Sequence, residues 1–143
     1  MLVTKQLLEQ HNTCQEQLDI FNSEWPDGVV LTPTVLQRCL EIDLNLRWFV
    51  NNVMPLSVRD TYNQTIESAI VNYEKAKQFA ESLFKADTIS LKDKRYHTYG
   101  PEEQEIEDAA QSNFTARLAS AKAELDDAHV NAFMVALDVV DNN

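Results

Sequence analysis

The sequence predicts an all-α protein, in which a small N-terminal helical cap lies on a long antiparallel helical hairpin. Only 2 of the 143 residues are glycine, against a usual share of about 7%, so little material is available for tight β-turns. Apolar residues recur at intervals of four and three along most of the chain, which is the spacing of amphipathic helices. A chain of this length forms one domain whose core needs neither metal nor disulfide. We therefore expect a single helical domain over residues 1–143, with a cap of three helices at 1–56 and a hairpin at 57–140.

The first apolar series predicts one amphipathic helix at the start of the cap. Its members are Leu7, His11, Cys14, Leu18, Phe21 and Trp25. Thr4 is a suitable N-cap, and Pro26-Asp27-Gly28 ends the helix. The following segment, Val29-Val30-Leu31, suits an extended backbone, but a lone strand of three residues has nothing obvious to pair with.

Two shorter helices complete the expected cap. Thr32-Pro33 predicts an N-cap followed by proline at the first helical position. Asp43 is a candidate N-cap for the next helix, which ends at Met54-Pro55 because a residue before proline avoids helical geometry. The residues expected to face inward are Val35, Leu36, Cys39, Leu40, Leu46, Phe49 or Val50, and Val53.

Two long apolar stripes predict the hairpin. The first follows Ser57-Val58-Arg59-Asp60, which resembles a capping box, and it runs over residues 57–86 without Gly or Pro. Its members are Tyr62, Ile66, Ala69, Tyr73, Ala76, Ala80 and Leu83, widened by Phe79 and Phe84. The second stripe begins after Gly100-Pro101, where acidic residues suit a helix N-terminus. Its members are Phe114, Leu118, Ala121, Leu125, Ala128, Ala132, Val135 and Val139. Stripes of similar length, joined by about fifteen residues, indicate antiparallel neighbours.

The end of the second stripe is apolar on most of its sides. Residues 132–140 are all apolar except Asp138, and a single neighbouring helix covers only one stripe of such a helix. Either the N-terminal cap or a second chain must cover this end. We favour a second chain in a two-fold homodimer, the commonest oligomer geometry, with Phe133, Leu137 and Val140 as its self-association residues.

The formal charge of −11 comes from 23 acidic and 12 basic residues. A field of this sign repels phosphate, so it disfavours direct binding to nucleic acid and to anionic membranes. It suits a basic protein partner, competition for a nucleic-acid site, or simple solubility. No apolar run approaches the roughly 18–20 residues of a membrane span, and no signal peptide is visible at the start. Cys14 and Cys39 are too few for a disulfide framework, so we expect two buried, reduced thiols and a cytoplasmic protein.

The connector over residues 86–100 is the best candidate for partner contacts. It combines basic and aromatic side chains, which grip acidic groups and stack on partner side chains, and an acidic run follows it. The candidates are Lys92, Lys94, Arg95, Tyr96, His97, Tyr99, Glu102, Glu103 and Glu105. The simpler interpretation, which we favour, is a solvated loop whose tyrosines pack on helix ends and whose charges balance the acidic run after it. Glu67, Glu74 and Glu81 also recur every seven residues on one helix face, a spacing of carboxylates that a nucleic-acid mimic would need.

Catalytic and metal-binding patterns are weak in this chain. Asp126 and His129 have a ligand-like spacing of three on a helix, but no second pair completes a dimetal site. His11 lies on an apolar stripe, where a hydrogen-bonded core histidine is the simpler interpretation. Neither a zinc-type cysteine pairing nor a glycine-rich phosphate loop nor a nucleophile elbow is present in the sequence. We therefore expect no enzymatic activity, no cofactor and no metal.

Three short segments resemble a pattern in small uncharacterised accessory proteins of tailed bacteriophages. They are residues 14–21 (CQEQLDIF), 25–32 (WPDGVVLT) and 43–48 (DLNLRW). The pattern is C-x2-Q-x3-F, a turn like F-P-x-G, a V-x-V-T start and a leucine-aspartate-tryptophan segment, followed by helices rich in tyrosine and alanine. Trp25 here replaces the usual Phe, and Asp43 precedes Leu44 rather than following it. The resemblance covers residues 10–85 and implies a small phage protein that acts inside the infected cell.

These observations together predict a non-enzymatic, acidic viral accessory protein. It would bind and block a host factor used in defence or nucleic-acid metabolism, by a shape-matched surface or through its negative field, with nucleic-acid mimicry as one form of the latter. The partner would be a host or viral protein, met in the host-cell cytoplasm. The alternative function is a structural or assembly protein of a phage virion, where long hairpins pack into oligomers.

Overall fold

The computed structural model describes residues 1–94 and 100–141, and the side chains of residues 1–89 and 100–138. The described part of the chain confirms the all-α fold class. Its helices are α1 (Lys5–Gln10), α2 (Gln15–Glu24), α3 (Pro33–Glu41), α4 (Leu46–Val53), α5 (Leu56–Lys94) and α6 (Pro101–Asp141). Its two strands are β1 (Leu2–Val3) and β2 (Val29–Val30). None of the described helices has the length and apolar character needed to cross a bilayer.

The long helices α5 and α6 pack against each other as an antiparallel hairpin. Tyr62 of α5 lies against Phe133 of α6, with ring centroids 6.3 Å apart. Farther along α5, Phe84 lies against Phe114, with ring centroids 5.4 Å apart. Residue numbers therefore rise along one helix as they fall along the other, which is the antiparallel order.

The chain forms two compact units. The first comprises Met1–Glu67 and Asp126–Asn143, and we call it the cap unit. The second comprises Ser68–Leu125, and we call it the hairpin unit. The boundary falls inside the long helices, so the cap unit contains the first turns of α5 and the last turns of α6.

The expected first helix is in fact two helices, so the prediction of three cap helices is wrong. The break lies between α1 and α2, where Asn12 has a φ of 60°, a left-handed conformation that Asn tolerates. The hydroxyl and the backbone N–H of Thr13 both donate to the Leu8 carbonyl, at 2.7 and 3.2 Å. These side-chain and turn hydrogen bonds compete with the helix, although the apolar spacing continues through the break.

The Val29–Val30 segment has a strand partner, contrary to the expectation. It pairs antiparallel with β1, with Leu2 opposite Val30 and Val3 opposite Val29. Gly28 precedes the strand with a φ of 84°, and a Cβ at this position would lie 2.9 Å from the Val3 carbonyl oxygen. The turn therefore requires glycine, both for its backbone conformation and for the close approach of β1.

Most of the helix boundaries agree with the local signals. Thr4 accepts from the N–H of Leu7 and Thr32 from that of Val35, each at 3.2 Å, so both predicted N-caps are confirmed. The cap of α4 is Asn45, which accepts from the N–H of Trp48 at 2.9 Å. The predicted cap, Asp43, instead has a φ of 63° in the turn after α3, so that prediction is wrong.

Both ends of α5 differ from the prediction. The helix begins at Leu56, and the N–H groups of Val58 and Arg59 donate to the Pro55 carbonyl. Ser57 therefore lies inside the first turn rather than at an N-cap, and the capping-box interpretation is wrong. At the other end α5 continues to Lys94 rather than stopping near residue 86. Residues 86–94, predicted to belong to the connector, are therefore helical, because neither Gly nor Pro interrupts them.

The cap unit covers the apolar end of α6. Phe133 is 0% exposed and stacks on Phe49 of α4, with ring centroids 6.0 Å apart, while Leu137 is also buried. Phe133 and Leu137 therefore belong to the core of one chain, and their interpretation as self-association residues is wrong. Val140 lies outside the residues whose side chains the structure describes. Val135, expected in the stripe, is 42% exposed, because the cap packs on the side of α6 that carries Phe133 and Leu137.

The hairpin unit has an interior of small side chains. Among its described residues, Ala80, Ala110 and Ala121 are buried. Leu83, Phe84, Phe114, Leu118 and Leu125 are half-buried, so these members of both predicted stripes line the seam. Phe79, which was expected to widen the first stripe, is 63% exposed. Phe79 lies about 100° around α5 from the buried Ala80, so it projects away from the interior.

Candidate protein-binding surface

The negative charge of the chain is concentrated in the cap unit. This unit contains 13 acidic and 4 basic residues, a formal charge of −9. The hairpin unit contains 10 acidic and 8 basic residues, a formal charge of −2. The basic connector and the lysines of α5 thus offset the acidic residues of the hairpin unit, whereas little offsets those of the cap unit.

The cap-unit carboxylates are available at the surface. No charged side chain among the described residues is buried. On α2, Glu16 and Asp19 are three residues apart and exposed, so they share one face, while Leu18 and Phe21 of the same helix are buried. Asp127 and Asp138 of α6 are likewise exposed. The hydrophobic core therefore fixes the helices, and the helices hold the carboxylates in set positions.

Three of the four basic residues of the cap unit are engaged within the unit. Lys5 pairs with Glu9 at 3.7 Å. The Arg38 guanidinium donates to Glu24, with Nε 2.8 Å from Oε1, and pairs with Glu41 at 3.3 Å. Arg59 donates from Nε to the Met54 carbonyl at 2.7 Å.

The Arg38 contacts also shift two pKa values. The hydrogen bond from Arg38 lowers the pKa of the Glu24 carboxyl, and the hydrogen bond to Glu24 raises that of Arg38. Both groups therefore stay charged over the physiological range. Arg38 is occupied by two carboxylates, so it does little to neutralise the rest of the surface.

The structure describes only some of the basic and aromatic residues that were predicted to contact a partner. Lys92 and Lys94 lie on α5 rather than in a loop, and their side chains lie outside the described ones. Arg95, Tyr96, His97 and Tyr99 lie outside the described residues. The sequence-based prediction for the connector therefore stays a prediction.

The acidic candidates lie in the first turns of α6, in the hairpin unit. Glu102 and Glu105 are exposed. Glu103 accepts a hydrogen bond from the backbone N–H of Gly100, at 2.9 Å. This is the reciprocal contact of a capping box, in which the third residue of the helix reaches back to the N-cap. The position of Glu103 is thus explained by the start of α6.

Tyr62 and His129 form a polar contact inside the cap unit. The Tyr62 hydroxyl and His129 Nδ1 are 2.5 Å apart. Burial raises the pKa of Tyr62 to about 12 and lowers the pKa of His129. Both groups are therefore neutral at physiological pH and share one hydrogen bond, whose donor is set by the tautomer of His129. This contact ties α5 to α6.

Asp126 and His129 do not belong to a larger metal-binding cluster. Within residues 1–94 and 100–141, no group of three or more His, Cys, Asp or Glu side chains is arranged to hold a metal ion. Asp126 acts on His129 through its charge, which opposes the effect of burial on the His129 pKa. His11, expected in the core, is a half-buried residue at the C-terminus of α1.

The two cysteines differ in their surroundings. Cys39 is buried, and burial raises its pKa to about 11, so it stays a protonated thiol. Cys14 is exposed, so the expectation of two buried thiols is wrong for this residue. It precedes α2 just after the break at Asn12, which turns it away from the apolar stripe of a continuous helix.

A small apolar cavity lies in the cap unit. Its volume is about 50 Å³, and Leu36, Cys39 and Phe133 are among its lining residues. Gln17, at its edge, donates to the Asp43 carbonyl at 3.1 Å and accepts from the N–H of Asn45 at 2.9 Å. The polar groups of Gln17 are thus engaged, and most of the residues that line the cavity are apolar.

No protein-family model, curated protein or solved structure matches this chain. The surface that distinguishes the molecule is the acidic surface of the cap unit. Sequence reasoning treated this acidity as spread along the chain. Residues 126–143 contribute four acidic residues to the cap unit, and only the return of α6 to this unit brings them together with the N-terminal ones.

Proposed function

We propose that this protein is a non-enzymatic acidic accessory protein that binds a basic surface of another protein and blocks it. The observation that supports this function is the formal charge of −9 on the cap unit, with its described carboxylates at the surface. The resemblance to phage accessory proteins suggests a host factor of defence or nucleic-acid metabolism as the target, and the host-cell cytoplasm as the place of action.

The proposed mechanism is electrostatic. Complementary charge steers association and selects partners by sign. Carboxylates held on helices, such as Glu16 and Asp19 on α2, present negative charge in a fixed arrangement, as the phosphates of a nucleic acid do. A host surface that binds phosphate would therefore attract the cap unit, and the bound cap unit would exclude the nucleic acid.

Matched charge variants test the proposal. The cap variant combines Asp19→Asn, Asp127→Asn and Asp138→Asn. The control combines Glu81→Gln, Asp108→Asn and Glu124→Gln in the hairpin unit. All six residues are exposed, and each triple variant removes three negative charges. The full chain is used to capture proteins from a phage-infected lysate, which mass spectrometry identifies, and the affinity of each variant for the captured protein is then measured.

We expect the cap variant to lose more than about tenfold in affinity, or 1.4 kcal/mol, while the control variant loses much less. Affinity for the wild-type chain should also fall steeply between low and moderate salt, because surface charges are screened within about 8–10 Å at physiological ionic strength. Equal losses in both variants, or binding that does not respond to salt, would contradict an electrostatic surface on the cap unit.

A structural or assembly role in a virion is the second candidate function. The observation that favours it is the exposure of three apolar side chains on α5, Val71, Phe79 and Ile89, since assembly proteins bury such side chains against neighbouring copies. Capture of capsid or tail proteins alone, with salt-resistant binding, would favour this role over the blocking of a host factor.

A further inference from the structure

The cavity of the cap unit reaches the surface of the molecule. Its buried lining residues are all apolar, among them Leu36, Cys39 and Phe133. The other residues that line it are half-buried or exposed. We call these other residues the mouth, because the cavity meets the solvent among them. They are Thr13, Gln17, Leu31, Leu44, Asn45 and Trp48.

The polar side chains of the mouth are engaged within the cap unit. The Thr13 hydroxyl donates to the Leu8 carbonyl, and Gln17 joins α2 to the turn after α3 through its two hydrogen bonds. The Asn45 side chain accepts from the N–H of Trp48. A polar ligand would have to displace these hydrogen bonds, whereas an apolar group contacts the apolar lining without breaking them. The cavity therefore favours an apolar ligand.

The size of the cavity limits that ligand. Its volume is about 50 Å³, and a group the size of a water molecule, such as a methyl, needs about 10–15 Å³ of such space. The cavity therefore has room for roughly three to five such groups, which suits the side chain of Val, Leu or Ile. Pockets that hold a cofactor or a drug-sized molecule are larger, about 300–1,000 Å³. One aliphatic side chain of a partner is thus a better fit than a free cofactor.

Carboxylates lie beside the mouth. The carbonyl of Asp43 accepts from Gln17, so Asp43, whose side chain is exposed, lies at the edge of the cavity. Glu16 is the neighbour of Gln17 on α2 and is also exposed. Both contribute to the formal charge of −9 of the cap unit. Basic residues of a partner would therefore be attracted to the region around the mouth.

The basic residues of the cap unit do not cancel this charge. Arg47 of α4 is exposed, but it lies about 100° or more around the helix from every α4 residue that lines the cavity. It therefore projects from the side of α4 that faces away from the cavity. Lys5 and Arg38 are paired with carboxylates, and Arg59 donates to a backbone carbonyl. The charge near the mouth is thus negative overall.

We propose that the cavity binds one aliphatic side chain of the protein partner, from a segment in which basic residues flank that side chain. This inference rests on the proposed function, in which the cap unit binds a basic surface. Side chains that fill pockets commonly supply most of the affinity of an interface, while charges at its rim guide association and selection. The carboxylates would attract the basic segment, and the cavity would fix its position on the cap unit.

Two capped peptides test the proposal, KKLKK and KKGKK, which have the same charge and differ in the central side chain. Each is titrated into the labelled full chain and followed by NMR, at up to about 5 mM peptide, the range of weak contacts. We expect KKLKK to bind at least fivefold more tightly, because filling a cavity restores packing in proportion to its volume. It should also shift the methyl signals of Leu36 and Leu46, which line the cavity.

Two substitutions of one buried lining residue sharpen the test. Cys39→Leu extends a larger side chain into the cavity, so KKLKK should lose its advantage over KKGKK. Cys39→Ala is the matched control, because it leaves the cavity open and the charge unchanged, and it should keep the advantage. Val3→Ile fills the cavity from β1 with one methyl and should reduce the advantage at least twofold. Circular dichroism confirms that each variant retains its helices.

Salt separates the failure of this inference from that of the proposed function. Equal, salt-sensitive binding of the two peptides would overturn the role of the cavity and leave the acidic surface supported. A preference for KKLKK that resists salt would support the cavity and contradict the electrostatic mechanism. Binding of KKLKK that leaves the signals of Leu36 and Leu46 unshifted, or no binding of either peptide, would overturn the proposal.

Discussion

The cap unit and the hairpin unit are built from different interiors. The cap unit buries large side chains completely, among them Leu36, Val50, Tyr62 and Phe133. The described interior of the hairpin unit buries alanines and leaves its larger apolar residues half-buried. Apolar area removed from water stabilises a fold in proportion to that area. We therefore expect the cap unit to supply most of the stability, because the hairpin unit buries less apolar area between its two helices.

The same two units differ in their surfaces. The cap unit has a formal charge of −9, whereas the hairpin unit has one of −2 and exposes the apolar side chains of Val71, Phe79 and Ile89. The cap unit thus combines a large apolar core with a charged surface, and the hairpin unit combines a small core with exposed apolar side chains. Substitutions in each unit test this contrast.

The largest effect is expected for Phe133→Ala in the cap unit. Phe133 contacts both Phe49 and Tyr62, so its removal leaves a cavity beside the existing one. Removing a buried Phe costs about 3–5 kcal/mol of the free energy of unfolding. Urea denaturation measures this loss. A loss below about 1 kcal/mol, the size of an average substitution, would show that the cap core does not dominate stability.

The second effect is that of Leu118→Asp in the hairpin unit. Leu118 is half-buried, so the new carboxylate keeps part of its hydration, and we expect a loss of about 1–3 kcal/mol. Hydrogen exchange should show this loss as faster opening of the hairpin unit, with the amides of the cap unit still protected. Uniform loss of protection in both units would contradict the expected difference in stability between the cap unit and the hairpin unit.

A third effect concerns the Tyr62–His129 contact. Tyr62→Phe removes the hydrogen bond between the hydroxyl and Nδ1 and leaves a partly buried imidazole nitrogen without its partner, which costs about 1 kcal/mol. Urea denaturation at neutral pH measures the change. Tyr73→Phe, at a half-buried position of the hairpin unit, is the matched control and should change the free energy of unfolding by less than about 0.5 kcal/mol.

The stability of the cap unit should also fall at acidic pH. Burial lowers the pKa of folded His129 below its ordinary value of 6.5, so the unfolded chain binds the proton more tightly than the folded one. The contribution of neutral His129 is fully present above pH 6.5 and is lost as the pH falls through the pKa of the folded state. The free energy of unfolding, measured against pH, should lose this dependence in His129→Gln. An unchanged slope in that variant would assign the dependence to other groups.

The smallest effect on stability is expected for Phe79→Ser in the hairpin unit. Phe79 is 63% exposed, so its removal should change the free energy of unfolding of the monomer by less than about 0.5 kcal/mol. Urea denaturation at low micromolar concentration measures it. A loss comparable to that of Phe133→Ala would place Phe79 in the interior, where the apolar spacing of the sequence had placed it.

Local signals in the sequence predicted the helices well. Thr4 and Thr32 were recognised as N-caps, and Pro101 as the start of a helix, because a cap depends on residues three or four positions away. The prediction failed where a local signal was weak or had a competitor. Asn12 interrupts a regular stripe, and Asn45 rather than Asp43 caps α4, because both residue types suit either role.

The sequence predicted the amount of negative charge but not where it lies in the structure. The charge of −11 was known from composition, but its division between the units depends on which segments share a core. The exposed apolar side chains of α5 were missed for a related reason. Val71 and Ile89 lie off the predicted stripe, and a spacing of eighteen residues becomes informative only once α5 is known to be one uninterrupted helix.

The all-α class, the two long helices and most of their starts could be predicted from the sequence alone, because helices are encoded by spacing and capping within a few residues. The pairing of β1 with β2, the burial of Phe133 under the cap and the collection of acidic residues in one unit depend on tertiary contacts. These features join segments separated by tens of residues, and apolar spacing shows that a side chain needs cover without showing which segment covers it. The free energy of burying Phe133 against Phe49 and Tyr62, rather than any local preference, selected the cap as that cover.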